Sequence, residues 1–220
     1  MKIVVVDYGR GNIRSITRAL AHVGAEAVVT ADPADVAGAE RVLLPGVGAF
    51  GDCMDGLKSR GLVDPIRHFC RSGKPFLGIC VGMQLLMDEG HEFGRHEGLG
   101  IVKGKTVKLP EMMGETRVKV PHIGWSRLEP GAPCPKGLSG AEGPGWADGP
   151  LAGLPEGGQV YFVHSYAAEP AEPADRLATT PFAGTRFCSA LRKNNVLGFQ
   201  FHPEKSGPAG LDILRRWALQ

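Results

Sequence analysis

A single cysteine stands between two glycines in the segment LGICVGMQLL, residues 77 to 86. Gly78 lies two residues before Cys80 and Gly82 two residues after it, where an apolar run gives way to a helical pattern. Glycine at these offsets suits a very sharp turn from strand to helix, because the backbone on both sides passes too close for a side chain. With serine at its centre, the same spacing forms a nucleophile elbow, which lifts the reactive atom above a sheet edge. The spacing therefore predicts a displayed thiol, whose reactivity depends on what else the chain supplies.

A histidine and a glutamate that could serve this thiol occur in FQFHPEKS, residues 199 to 206. The pattern predicts a strand that ends at His202, so that Glu204 reaches the same region as the imidazole, because alternate residues of an extended chain point the same way. A carboxylate on one ring nitrogen fixes the tautomer and supports the imidazolium formed during proton transfer. The order Cys, His, Glu along the chain differs from that of the α/β-hydrolases, which argues against a simple esterase.

A third element is the segment LLPGVGAFGD, residues 43 to 52, in which a predicted strand runs into a glycine-rich loop. Backbone N–H groups of this loop, together with the N–H of Val81, could hold a developing oxyanion. Each element has a simpler alternative: a lone cysteine is often a small buried hydrophobe, HPE can be a turn, and PGVG can be a tight loop. All three follow predicted strands, where open α/β sheets place their sites, and their coincidence favours a catalytic interpretation.

The elements around these motifs predict an α/β fold, because short β-branched runs alternate with amphipathic stretches. In the first part of the chain we predict a helix over residues 12 to 24, a helix pair over about 51 to 72 whose second member Pro65 opens, and strands over residues 2 to 7, 26 to 30, 41 to 45 and 74 to 80. Beyond residue 100 we predict a final helix from residue 209 and shorter strands over 101 to 109, 116 to 121, 159 to 166, 186 to 194 and 196 to 204.

Length and composition predict one ordinary globular domain. The 220 residues suffice to bury a core without staples, and we expect a single domain over 1 to 220 with a Gly/Pro-rich excursion at about 130 to 158. Five widely spaced cysteines, an odd number, indicate reduced thiols and a cytoplasmic protein rather than a secreted scaffold.

Several classes of partner are not predicted. The net charge of +2 is carried by scattered basic residues, which argues against nucleic acid, and no segment has the roughly 20 apolar residues that span a membrane. The segment GRGNIR has Arg14 where a dinucleotide fingerprint needs its third glycine. His91, His96 and Glu97 cluster without a metal-ligand spacing. We therefore expect neither a metal nor a cofactor.

Taken together, GICVGMQLL, LPGVGAF and GFQFHPEKS resemble the class I, triad-type glutamine amidotransferases. The segments YGRGNIRS, GLGIVKGK, PHIGW and VYFVHSY narrow the resemblance to the glutaminase subunits of imidazole glycerol phosphate synthases. It covers nearly the whole chain, and its main departure is a longer, Gly/Pro-rich stretch at about 131 to 149. The resemblance implies a three-layer, mostly parallel open sheet with a flavodoxin-like core.

The resemblance also assigns roles. It makes Cys80 the nucleophile, His202 the general base and acid, and Glu204 the orienting carboxylate, so that glutamine is hydrolysed to glutamate and ammonia through a γ-glutamyl thioester. Val47 and Gly48 resemble the oxyanion strand. The residues expected around the substrate glutamine are Gln84, Glu92 at its ammonium group, and His164, Ser165 and Tyr166.

A partner follows from the same resemblance, since ammonia released into water would be protonated and lost as a nucleophile. The implied partner is a (β/α)₈-barrel cyclase subunit of histidine biosynthesis, contacted through Asn12, Trp125 and Lys205. Two alternatives stay open: a stand-alone cysteine hydrolase or glutaminase of the same fold, and a catalytically silent binding module. The complete triad argues against the silent module.

Overall fold

The computed structural model describes residues 1–131, 146, 148–155 and 157–219. Helices are α1 Ile13–His22, α2 Pro33–Gly38, α3 Phe50–Ser59, α4 Val63–Arg71, α5 Val81–Gln84 and α6 Gly207–Leu219, with short 3₁₀ helices at Pro173–Asp175 and Pro203–Lys205. Strands are β1 Lys2–Val6, β2 Glu26–Thr30, β3 Val42–Gly46, β4 Phe76–Cys80, β5 Glu89–Gly90, β6 His96–Glu97, β7 Gly104–Lys108, β8 Met112–Met113, β9 Thr116–Arg117, β10 His122–Arg127, β11 Glu129–Pro130, β12 Gln159–His164, β13 Tyr166–Pro170, β14 Arg176–Phe182, β15 Thr185–Lys193 and β16 Val196–Phe199.

The main sheet of the described residues has the strand order β2-β1-β3-β4-β16-β15-β14-β11. Its first five strands run parallel, and β15, β14 and β11 extend it in antiparallel pairing. The parallel part has the order of flavodoxin-like sheets. This confirms the expected α/β class and the mostly parallel sheet.

Helices cover both faces of this sheet. Helix α1 connects β1 to β2 on one side, and the chain then returns past β1 to β3 through α2. Because crossover connections are right-handed, a reversal of direction along the sheet moves the helix to the opposite face. Accordingly α1 packs with α6, and α2 packs with α4. The three-layer expectation is confirmed.

The parallel strands position the candidate site. Strands β3, β4 and β16 are buried along their whole length, as parallel strands covered on both faces must be. They are parallel neighbours in the sheet, with β4 in the centre. Their carboxyl ends therefore meet at one edge, and this edge carries Gly46, Cys80 and the segment that follows Phe199.

Some local predictions are wrong. The helical pattern after Cys80 is only the single turn α5, and of the strand predicted over 116 to 121 only Thr116–Arg117 is paired, with β8. Helix α4 begins at Val63 rather than at Pro65. Helix α2 and, among the longer strands, β10, β13 and β14 were not predicted. The α2 signals were nevertheless present, since Asp32 caps the Ala34 N–H and Pro33 is the first helical residue.

The Gly/Pro-rich excursion expected at about 130 to 158 lies largely outside the described residues, and its place in a single domain stays a prediction. Within the part that is described, Trp146 is buried and its indole Nε1 donates to the Leu177 carbonyl at 3.1 Å. Leu151 is buried as well. No helix of the described segments is long and apolar enough to cross a membrane.

Candidate active site

The sharp turn at Cys80 explains the two glycines of the first motif. Cys80 ends β4 and begins α5 with φ 56° and ψ −115°, a backbone conformation that non-glycine residues rarely adopt. A Cβ atom at Gly78 would lie 2.5 Å from the Gly82 carbonyl oxygen, and one at Gly82 would overlap the Leu44 carbonyl oxygen. Both glycines are therefore required for β3, β4 and α5 to pack closely. This packing holds the thiol at the sheet edge in the manner of a nucleophile elbow. Cys80 is only 5% exposed, however, so the thiol is less displayed than the motif predicts.

His202 and Glu204 form a buried pair beyond the end of β16. The Nδ1 atom of His202 lies 2.8 Å from Oε1 of Glu204, and the two side chains are 4% and 1% exposed. The sequence pattern predicts that an extended backbone brings the two side chains together. In the structure the chain instead turns into the 3₁₀ helix Pro203–Lys205, and this turn makes the contact. Ser206 closes this turn by donating its hydroxyl to the His202 carbonyl at 2.6 Å. The expected juxtaposition is present, but through a different local structure.

The electrostatics of His202 favour its protonated form. Burial lowers the pKa of His202, but the neighbouring Cys80 sulfur and the Glu204 carboxylate outweigh this effect and raise the pKa to about 10. Because Nδ1–H donates to Glu204, the other ring nitrogen is left for the reaction. That atom, Nε2, is buried and has no hydrogen-bond partner among the described residues. The pair can therefore stabilise a thiolate and hold a proton for a leaving group.

The glycine-rich loop lies beside Cys80. In the β3–β4 register Gly46 pairs with Cys80, so Val47 and Gly48 follow at the same edge. The N–H of Val47 donates to the Arg10 carbonyl at 3.2 Å and is thus occupied. Gly48 has φ 106°, and a Cβ atom there would meet no atom within 4 Å. Val81 is the first residue of α5, so its N–H has no preceding helical carbonyl to bind.

These groups share one cleft of about 340 Å³. It brings together the predicted nucleophile, base, oxyanion residues and substrate-side residues, and it is lined by Val47, Gly48, Cys80, Val81, Gln84, Glu92, Val163, His164, Ser165, Tyr166, His202 and Lys205. Glu204 lies behind His202. The Glu92 carboxylate accepts the Phe50 N–H at 2.8 Å, which fixes it at the start of α3.

A hydrogen-bonded network forms one wall of the cleft. The Tyr166 carbonyl accepts the His164 Nδ1–H and the Gln84 side-chain amide, both at 2.8 Å. His164 Nε2 lies 3.2 Å from Nδ1 of His122, whose Nε2 lies 2.9 Å from the Ser126 hydroxyl. Burial lowers the pKa of His164 to about 3. His164 is therefore neutral at physiological pH, and His122 donates to it.

Sequence reasoning missed three residues of the site: Tyr8 and Gln200, which lie near Cys80, and His122, which contacts His164. The Tyr8 hydroxyl donates to the Pro45 carbonyl at 2.9 Å, just before the glycine-rich loop. Gln200 lies fully buried between the buried Phe199 and Phe201. A polar residue within an apolar strand pattern was a usable signal for Gln200. His122 belongs to the PHIGW segment, but its contact with His164 depends on the pairing of β10 with β12.

The residues expected at a partner interface lie around the Pro203–Lys205 turn. Trp125 is 51% exposed and packs edge-on against Tyr161, with ring centroids 6.1 Å apart. Lys205 is exposed and lines the cleft. Asn12 immediately precedes α1, which packs against the Pro203–Lys205 turn. Their role in binding a partner stays a prediction.

The profile of the family "Glutamine amidotransferase class-I" matches residues 4–220, and the chain belongs to this family. Its sequence is 46% identical over 217 residues to "Imidazole glycerol phosphate synthase subunit HisH" of Syntrophotalea carbinolica, covering 98% of both chains. It is 45% identical to the protein of the same description in Geobacter sulfurreducens, covering 98% of this chain and 97% of the other.

Solved structures show the same fold at low sequence identity. PurLQS from Thermotoga maritima superimposes with a TM-score of 0.68 at 19% identity, covering 98% of this chain and 96% of the other. A crystal structure described as a glutamine amidotransferase gives a TM-score of 0.66 at 19% identity, covering 97% and 96%.

Proposed function

We propose that this protein is the glutaminase subunit of an imidazole glycerol phosphate synthase, hydrolysing glutamine to glutamate and passing the ammonia to a cyclase subunit in histidine biosynthesis. The observation that carries the proposal is the convergence of Cys80 and the His202–Glu204 pair on one cleft, in a chain of the class I family. The names of the HisH relatives, similar over almost the full chain, support the particular synthase.

Acylation begins with attack of the Cys80 thiolate on the side-chain carbonyl carbon of glutamine. The S–C bond forms and the carbonyl oxygen takes up negative charge, which backbone N–H groups at Val81 and in the Val47–Gly48 loop stabilise. His202 Nε2 then gives its proton to the amide nitrogen, the C–N bond breaks, and ammonia leaves. Glu204 stabilises the imidazolium before this transfer and fixes the ring tautomer throughout.

Deacylation uses the same groups in the opposite direction. His202, now neutral at Nε2, takes a proton from water while the water oxygen attacks the thioester carbon. The C–S bond breaks, glutamate leaves, and the electron pair returns to the Cys80 sulfur as a thiolate. The imidazolium that results restores the charged pair of the resting site.

Recognition of glutamine falls to the other residues that line the cleft. The Glu92 carboxylate, half-buried and fixed by the Phe50 N–H, binds the substrate ammonium group. Gln84 presents its side-chain oxygen, because both hydrogens of its amide nitrogen are used by the wall network. His164, Ser165 and Tyr166 complete the wall against which the substrate lies.

The proposed partner is a (β/α)₈-barrel cyclase bound over the face that carries Trp125, Lys205 and Asn12. Trp125 is exposed next to Gly207, just after the Pro203–Lys205 turn, and an exposed tryptophan suits a buried anchor in an interface. Direct contact there would let ammonia pass between the sites as a neutral molecule. A cytoplasmic location stays a prediction, and it agrees with a thiol that must stay reduced to react.

The oxyanion loop suggests how the partner controls the reaction. With its N–H donated to Arg10, Val47 contributes nothing to the developing oxyanion. Glycines on both sides allow these peptides to rotate at low cost. Binding of the cyclase with its nucleotide ligand turns an N–H of the Val47–Gly48 segment toward the substrate.

The test is steady-state glutaminase activity of the isolated chain, of its complex with the cyclase, and of that complex with the nucleotide ligand. One oxyanion donor is worth roughly 10²- to 10³-fold in rate, so turnover should rise by at least this factor in the liganded complex. Full activity of the isolated chain would contradict the gating and favour a stand-alone hydrolase. No activity in any of the three samples would contradict the glutaminase assignment itself.

A further inference from the structure

The direction of every hydrogen bond in the wall network can be assigned from one atom. The Tyr166 carbonyl oxygen can only accept, so the Gln84 group 2.8 Å away from it must be the amide nitrogen. The same nitrogen lies 3.0 Å from the side chain of Gln200, which must therefore offer its oxygen. A carboxamide that presents its oxygen to one side presents its NH₂ elsewhere. In Gln200 that nitrogen lies 3.8 Å from the Cys80 sulfur.

Gln200 is held so that it cannot reverse this arrangement. Its backbone N–H donates to the Ser189 carbonyl at 2.9 Å, and its side chain is fully buried. Phe199 and Phe201 stack on each other with ring centroids 4.9 Å apart, so the residue between them points to the opposite face of the chain. Rotating the amide would place its nitrogen against the nitrogen of Gln84, and the two donors would oppose each other. Local packing and the Tyr166 carbonyl thus fix the amide polarity.

We propose, on the basis of the function proposed above, that Gln200 donates a hydrogen bond to the Cys80 sulfur and stabilises its thiolate. Gln84 and the Tyr166 carbonyl act on the sulfur through Gln200, by fixing which end of the amide faces it. A hydrogen bond from a neutral amide to a charged group is stronger in a buried site than in water, and both glutamines are almost completely buried.

The donor matters at two points of the reaction. In the resting site it favours the thiolate that attacks glutamine, together with the imidazolium of His202. During acylation the sulfur loses its negative charge as the S–C bond forms, so the hydrogen bond from Gln200 becomes weaker. When water breaks the C–S bond the negative charge returns to the sulfur, and the Gln200 amide stabilises this leaving group. Deacylation therefore gains from the donor more than acylation does.

The test is alkylation of Cys80 by iodoacetamide as a function of pH, on the purified full-length chain. This reaction forms an S–C bond and releases iodide, and its rate follows the thiolate fraction. Burial raises the pKa of Cys53 to about 11 and the pKa values of Cys70 and Cys188 to about 12, so these thiols react slowly. A Cys80→Ala sample gives the background from all other cysteines.

Gln200→Met removes the donor while keeping the length and burial of the side chain. We expect the pH midpoint of Cys80 alkylation to rise by about one unit, because hydrogen bonds to charged groups are the stronger ones. Gln159→Met is the matched control, since Gln159 is exposed on β12 and should leave the profile unchanged. A superimposable profile for folded Gln200→Met would overturn the proposal.

If Gln200→Met does not fold, Gln200→Glu decides, because it keeps the shape and an oxygen toward Gln84. A carboxylate in place of the donor repels the thiolate, so the midpoint should rise further, and an unmoved midpoint would again overturn the proposal. The other ionisable groups around the sulfur, unchanged in each comparison, are Tyr8, Cys53, Glu92, His164, His202, Glu204 and Lys205.

The alkylation assay needs neither glutamine nor a partner. An absence of glutamine hydrolysis in the parent complex would therefore contradict the proposed function while leaving the Gln200 comparison intact. Conversely, an active enzyme with an unshifted alkylation profile in the Gln200 variants would contradict only the role of Gln200.

Discussion

The two halves of the cleft are built in different ways. On one side the His202–Glu204 pair is almost completely buried, and the turn that carries it is closed by Ser206. On the other side Val47 is 39% exposed and Gly48 has open space around it. The hydrogen bond between His202 and Glu204 is already formed, whereas the N–H of Val47 donates to the Arg10 carbonyl and does not face the cleft as an oxyanion donor.

This difference follows from what each half must hold. A buried charge is costly unless it is paired and hydrogen-bonded, so the imidazolium and carboxylate have to be fixed together by the fold. A backbone N–H in an exposed glycine-rich loop exchanges one acceptor for another at little cost. In the proposed mechanism, folding therefore preorganises the groups that transfer the proton, whereas stabilisation of the oxyanion is left to control by the proposed partner.

The largest effect on the preorganised half is expected from removing the proposed nucleophile, Cys80. Cys80→Ala should lower glutamine hydrolysis by about 10⁶-fold in the liganded complex, because the covalent route is lost, and His202→Ala should be comparably severe. Initial-rate assays of glutamate release check this. Cys70→Ala is the control, a buried thiol outside the cleft, and should retain activity. Near-parental hydrolysis by Cys80→Ala would mean that another group is the nucleophile.

Removing the Glu204 carboxylate should reduce glutamine hydrolysis less than removing Cys80 or His202. Glu204→Ala leaves the proton carrier in place, so hydrolysis should fall by about 10²- to 10⁴-fold. The carboxylate is one of the groups that raise the pKa of His202 to about 10, so the alkaline limb of the pH–rate profile should move to lower pH in this variant. An alkaline limb that stays at the parental position would argue that Glu204 does not act through the imidazole.

Binding of the proposed cyclase partner is tested by changing the exposed residues Trp125 and Lys205. Trp125→Ala should weaken assembly with the cyclase by about 10- to 30-fold, as expected for an aromatic anchor, and Lys205→Ala by less. Glutamine-dependent synthesis by the pair should fall while ammonia-dependent synthesis by the cyclase survives. Met113→Ala, on the exposed β8, is the control. Equal loss of both activities would speak against an interface role.

The smallest expected effect is on stability, and it comes from His164 in the hydrogen-bonded wall of the cleft. Burial lowers the pKa of His164 to about 3, so the folded protein keeps this side chain neutral in mild acid. A histidine in the unfolded chain takes up a proton near pH 6.5. The unfolded state therefore gains stability as the pH falls below 6.5, and the parent should lose about 1.4 kcal/mol of unfolding free energy per pH unit from this residue. His164→Gln should flatten this slope in urea titrations between pH 6.5 and 4, whereas His68→Gln, at an exposed position, should not.

Much of the site was predictable because its signals are local. The glycines around Cys80 and the strand before the PGVG loop act within a few residues, and the structure brings both to one sheet edge. The contact between His202 and Glu204 was also expected, although the 3₁₀ turn that makes it was not. Strand β10 escaped prediction although its residues alternate, because the apolar Ile123 and Trp125 lie on the exposed face, the reverse of the usual pattern.

The sequence by itself determined the α/β class, the elbow around Cys80 and the family, because periodicity and glycine spacing encode short-range geometry. Only the tertiary structure decided which polar groups face each other. The hydrogen bonds that join Gln84 to Tyr166 and Gln200 link segments far apart in the chain, and so does the bond from Val47 to Arg10. Such pairings depend on strand order and register, which arise from packing the whole sheet and leave no mark on the local pattern of either partner.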